Sequence, residues 1–176
     1  AFDEATAILA GDALQVLAFE SIATADAPAE VRIAMVRCLA RASGTRGMAG
    51  GQAIDLAAVG RELTAAEVEQ MHAFKTGALL EAAVMLPVTL AGEDSTVRGR
   101  ALATYARAIG LAFQIVDDIL DIEGDPTLLG KTIGADLARN KPTYPAAVGL
   151  EAARQRARTL MDEARDALAS LGDGAR

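Results

Sequence analysis

The run Gly110–Leu111–Ala112–Phe113–Gln114–Ile115–Val116–Asp117–Asp118–Ile119–Leu120–Asp121 is apolar nearly all round a helix, yet it carries three carboxylates. Leu111, Phe113, Ile115, Val116, Ile119 and Leu120 cover most of the helical circumference, the pattern of a buried helix. Asp117 and Asp121 stand at i and i+4, on one face and one turn apart. Gln114 precedes Asp117 by three residues and Gly110 lies a turn before it, so a single polar stripe runs down the helix with Asp118 at its edge. Carboxylates this close repel one another, and burying them unpaired costs several kcal/mol each. A hard divalent cation removes that cost. Magnesium prefers oxygen ligands, keeps several waters and commonly uses one or two carboxylates plus substrate phosphates. On an ordinary amphipathic helix the same DDxxD would simply face water or pair with nearby Lys and Arg; the apolar flanks favour a metal.

Outward from this helix the chain reads as long helices with short punctuation. Hydrophobic residues make up 52% of the 176 residues and aromatics only 3%, so the apolar content is mostly Ala, Leu, Ile and Val, of which Ala and Leu are strong helix formers. Helices are expected over residues 3–25, from Asp26–Ala27–Pro28 to Gly44 with Asp26 as cap, from the Thr64/Glu67 capping box to Leu90 with a bend near Pro87, from Ser95 to Glu123, and from Pro145 to Gly172. Between the second and third of these, Gly47, Gly50 and Gly51 cluster where a backbone or ligand would approach closely. No stretch alternates with period two. The fold class is therefore all-α, with residues 1–176 as one domain.

Two further features share the chemistry of the stripe. Lys75 and Thr76 sit in the apolar run His72–Leu80, where the lysine reads equally as a snorkelling side chain or as a cation facing an anionic ligand. The segment from Gly124 to Pro142 holds Lys131, Arg139 and Lys141; it reads as a mobile basic loop able to close over phosphate, or as a solvated connector. Carboxylates ready for magnesium, an interior lysine and a basic loop all suit a diphosphate held by metal.

Several classes are excluded or disfavoured. With a net charge of -7 and a pI near 4.7, and without a basic stripe or aromatic platform, a nucleic-acid partner is not expected. A membrane span needs about 20 nearly uncharged residues; Lys75 and Glu81, Arg107, and the three aspartates cut the apolar stretches, so no insertion is expected. One cysteine, Cys38, forms no internal disulfide and fits a reducing, cytoplasmic setting; it is expected in the core. His72 is the only histidine, which rules out a His-rich zinc site, and no Walker or dinucleotide motif is present.

The run Phe113–Asp121 resembles the second aspartate-rich motif of the trans-prenyl diphosphate synthases. The flanking order matches as well: Gly47–Met48–Ala49–Gly50–Gly51–Gln52, Lys75–Thr76–Gly77, Gly130–Lys131 and Asn140–Lys141–Pro142–Thr143–Tyr144–Pro145. Thr6 to Leu14 looks like the helix just beyond the family's first aspartate-rich motif, and the whole is similar to the farnesyl diphosphate synthase type of bacteria. The resemblance implies an isoprenoid synthase fold, with helices around a central cavity, and head-to-tail condensation of an allylic diphosphate with isopentenyl diphosphate. It implies Asp117 as the main Mg²⁺ ligand (Mn²⁺ as the alternative), supported by Asp118 and Asp121. It implies Lys75, Lys131 and Lys141 on the allylic diphosphate, and Lys75, Thr76 and Gln114 flanking the developing cation. A homodimer with the Leu14–Phe19 helix in its interface is also implied.

The family's first aspartate-rich motif, its following Arg pair and its N-terminal helices are not among these residues. The chain is accordingly expected to be the C-terminal part of a synthase and inactive by itself. A terpene cyclase or head-to-head synthase shares the fold but generally lacks the combined Lys–Thr–Gly, Gly–Lys and Asn–Lys–x–Thr set. A non-catalytic regulatory subunit would show degraded Asp or Lys positions, and here they are intact.

Overall fold

The computed structural model describes residues 3–124 and 141–172. Eight α-helices and one π-helical turn make up the regular structure among them. Helix α1 (Glu4–Ala23) is capped by Asp3, whose carboxylate accepts the Thr6 N–H at 2.9 Å. Helix α2 spans Ala29–Ser43 and α3 Met48–Ala57. Helix α4 (Ala65–His72) opens on the expected capping box of Thr64 and Glu67. A π-turn (Ala73–Gly77) joins it to α5 (Ala78–Leu90). Helix α6 covers Val97–Glu123, α7 Tyr144–Val148 and α8 Leu150–Ala169.

The central packing is α6 against α8, written in the spacing of both helices. Ala108, Ala112, Ile115 and Ile119 recur at intervals of four, three and four, and so do Ala153, Ala157, Leu160 and Ala164; all eight are buried in one cluster with Val68, Met71 and Tyr144. That spacing keeps one seam facing its partner, and small alanines let the axes approach. A second cluster of Ile22, Met35 and Leu39 ties α1 to α2, with Leu79 and Leu86 of α5 packed on it.

Several expectations are corrected. Asp26 does not cap α2: Pro28 occupies the N-cap position and supplies no side-chain bond. The departure from α geometry in the Thr64–Leu90 helix falls at the π-turn Ala73–Gly77, while Pro87 lies within α5. The close approach expected at the glycine cluster is present, for a Cβ on Gly51 would stand 2.2 Å from the Lys75 N, and the stretch from Met48 on is helical. The last helix is two, since Gly149 at φ 86 breaks the run, a backbone conformation that glycine adopts without a steric penalty. Cys38 is half-buried at a cavity wall rather than in the core. Helix α6 is not buried all round: Phe113 and Val116 are 59% and 40% exposed.

The reading that no stretch is long and apolar enough to span a membrane is corrected as well. Two helical stretches, Glu4–Ala23 and the continuous Ala65–Leu90, are long and apolar enough to cross a membrane. Lys75 and Glu81 are too few to lower the mean hydropathy of the second below that level, so length and composition do not exclude a span. In the fold, Lys75 is ion-paired to Asp55 and Glu81 to Arg107 of neighbouring helices.

Candidate active site

The polar stripe of α6 faces the π-turn. A π-turn inserts a residue into the helical ladder and often marks a functional position; here it carries Lys75 and Thr76. Gly77 and Gly110 permit the approach, for a Cβ on Gly110 would stand 3.1 Å from the Gly77 Cα. With the two helices this close, the Thr76 hydroxyl donates to Gln114 Oε1 at 2.7 Å. The two residues expected to flank a developing cation are therefore brought together.

Asp117 is half-buried, whereas Asp118 and Asp121 are buried at 7% and 5% exposure. Asp118 plays a structural part. Its Oδ2 accepts the Tyr144 N–H at 2.7 Å, at the first turn of α7, and lies 3.5 Å from His72 Nε2. Tyr144 in turn donates its phenol to Glu69 at 2.9 Å, and Glu69 is ion-paired with Arg156 of α8. The acidic stripe is thus fastened to the segment that carries Lys141. His72 is buried, and burial together with the nearby Lys75 charge pushes its pKa down to about 4, although Asp55, Asp117 and Glu69 oppose this. It is neutral at pH 7.

Lys75 and Lys141, distant in sequence, converge. Both ammonium groups donate to the same oxygen, Oδ2 of Asp55, at 2.8 and 3.3 Å. Asp55 is 3% exposed. Burial raises its carboxyl pKa, but the bonds and charges of Lys75 and Lys141 more than offset this and hold it below the usual carboxylate range. Sequence reasoning missed Asp55. The signal available was one acid in an otherwise uncharged helix, and nothing in that pattern named its partners. Lys131 and most of the basic Gly124–Pro142 loop lie outside the described residues.

A cavity of about 570 Å³ is lined by residues of α2, the π-turn, α5 and α6, among them Phe74, next to Lys75 in the chain, and Leu111, three residues before Gln114 on α6; none of the site's polar residues lines it. Cys38, Ala42, Phe74, Met85 and Leu111 give it an apolar wall, and Arg41, Arg46, Glu81 and Arg107 are also at its edge. Among the described residues no three or more His, Cys, Asp or Glu side chains converge into a metal cage. Asp117, half-buried on the stripe, is a carboxylate of the kind of which magnesium takes one or two, with its remaining oxygens from phosphate and water.

An all-α fold with a carboxylate stripe, converging lysines and an apolar cavity defines the class: this is the isoprenoid synthase fold. The chain belongs to the polyprenyl synthetase family, whose model matches residues 1–170. It is 52% identical over 176 residues to the farnesyl diphosphate synthase of Escherichia coli (strain K12), covering 98% of this chain and 58% of that protein. Among solved structures it is similar to the Helicobacter pylori geranyltransferase complexed with magnesium and isoprenyl diphosphate, with a TM-score of 0.84 and 30% identity over 98% of this chain and 56% of that one. It is likewise similar to an FPP/GFPP synthase from Zymomonas mobilis, with a TM-score of 0.81 and 38% identity over 99% and 58% of the two chains. The chain spans a little over half the length of these relatives.

Proposed function

We propose that this chain is one all-α domain that forms the diphosphate- and metal-binding side of a trans-prenyltransferase active site, in a protein that joins an allylic diphosphate (dimethylallyl or geranyl) to isopentenyl diphosphate. The observation that carries this reading is the convergence of Lys75 and Lys141 on Asp55, with the Thr76–Gln114 bond joining the π-turn to the Asp117 stripe and an apolar cavity lined by Phe74 and Leu111 of the same two elements. A diphosphate with a hydrocarbon tail needs those three environments side by side.

Lys75 and Lys141, with Lys131 by family resemblance, bind the allylic diphosphate and carry charge to its oxygens as the carbon–oxygen bond breaks. Asp117 is the main candidate to hold Mg²⁺, with Mn²⁺ as the alternative, and Asp118 and Asp121 support it. Bound magnesium would neutralise the leaving diphosphate. The Thr76–Gln114 pair aims oxygen dipoles at the carbon that becomes positive. The double bond of isopentenyl diphosphate attacks that carbon, and transfer of a proton to the departed diphosphate restores a double bond in the lengthened chain. The hydrocarbon tail occupies the cavity lined by Phe74, Met85 and Leu111. A second copy of the chain covers the apolar face of α1, and the reading places the protein in the cytoplasm.

Condensation is assayed in a protein that also carries the share of the relatives' length this chain does not span. Product should require both diphosphates and magnesium; turnover without isopentenyl diphosphate would instead mark a cyclase. Asp117→Ala should lower kcat by roughly 100-fold or more, the scale expected on losing one preorganised charged group, with the melting temperature nearly unchanged. A variant that melts early yet turns over normally when folded would make Asp117 a structural residue.

A further inference from the structure

An anion inside an anion-binding site calls for an explanation, because Asp55 should repel the diphosphate that Lys75 and Lys141 attract. We propose that Asp55 is a positioning residue that presets these two lysines for the diphosphate; the inference rests on the function proposed above.

The arrangement is layered. The Asp55 side chain is 4% exposed, whereas those of Lys75 and Lys141 are 28% and 23% exposed. A ligand therefore reaches the lysines and not the carboxylate behind them. Each ammonium group has three donors, so the bond to Asp55 uses only one of those of Lys75. Both nitrogens bond one oxygen atom, which brings two like charges close together; without a negative charge between them they would repel and separate. Lysine is a flexible four-carbon stem with a point charge at its end, so a fixed anchor decides where that charge stands.

A second, independent contact ties α3 to the same residue. Gly51 lies one turn before Asp55 on the same face of α3, and a Cβ built on it would stand 2.2 Å from the Lys75 N and 2.5 Å from its Cα. Helix α3 thus touches Lys75 at its backbone through Gly51 and at its ammonium group through Asp55. Helix stability does not account for the acid. Asp55 lies in the last turn of α3, where a negative charge opposes the helix dipole. A buried ion pair is also weak evidence for a purely stabilising role.

The test compares Asp55→Asn and Asp55→Glu with wild type in the condensation assay, alongside melting temperatures. Removing the charge leaves the attraction of two lysines for diphosphate in place but frees their positions. Asp55→Asn should therefore lower kcat by about 10- to 100-fold, the scale of a misplaced catalytic group. KM for the allylic diphosphate should stay within about threefold of wild type. Asp55→Glu, which keeps the charge, should recover part of that kcat. Wild-type kcat in folded Asp55→Asn would overturn the inference while leaving the function standing. So would kcat losses that follow melting temperature equally in both variants, or failure of both to fold, each of which makes Asp55 structural. If only Asp55→Glu folds, a lowered kcat at unchanged KM supports the inference and an unchanged kcat overturns it. A wild-type protein that forms no product overturns the function and the inference together.

Discussion

His72 shows how one residue couples the site to the stability of the fold. It is the only histidine, it is 4% exposed, and its Nδ1 has no hydrogen-bond partner among the described residues. Its pKa falls from 6.5 to about 4 on folding, so at pH 5 to 6 the unfolded chain takes up a proton that the folded chain refuses. Stability is then complete above pH 6.5 and declines as the pH drops toward 4, by about 2 kcal/mol between pH 7 and pH 5 from this group. Urea unfolding at the two pH values measures it, and the decline should be absent in His72→Gln. The sequence exposed this residue only as a lone histidine in an apolar run. Its burial against Asp118 required α4 and α6 to be packed together, as did the division of labour between a half-buried Asp117 and a buried Asp118.

Helix α3 and the π-turn show the same dependence one scale up. Three glycines within five residues point to a close approach of backbones, and the approach is real, but it happens between helices. In an exposed helix Gly→Ala gains about 1 kcal/mol of helix propensity. At Gly51 the added methyl would meet the Lys75 backbone, which cannot swing aside as a side chain could. Gly51→Ala should therefore destabilise the fold by about 1–3 kcal/mol, the usual range for overpacking, as read by chemical denaturation. Element boundaries set by local chemistry were legible: Thr64 with Glu67, Gly44 after α2, Gly124 after α6. Those decided by a neighbour were not. The π-turn has no strong local signal, and Gly149 looks like any helical glycine until its φ of 86 is seen.

At the scale of the whole molecule, α1 is the element least satisfied by this chain. Leu9, Leu14 and Val16 are 67%, 66% and 67% exposed, and only Ile22, with Ala18 and Phe19 beside it, packs inward on α2. If a second copy covers this face, Leu14→Glu should convert a dimer into a monomer in light-scattering or sedimentation measurements. An unchanged mass would place the interface elsewhere. The sequence by itself determined the helical class, the seam spacing of α6 and α8, and the acidic stripe with its lysine and threonine, because helical period and side-chain chemistry are local properties written in residue order. Only the tertiary structure decided that Lys75 and Lys141 meet on Asp55, that Thr76 meets Gln114, and that Asp118 holds Tyr144. Those contacts join residues far apart along the chain, and nothing in local spacing fixes which helices pack closely enough to make them.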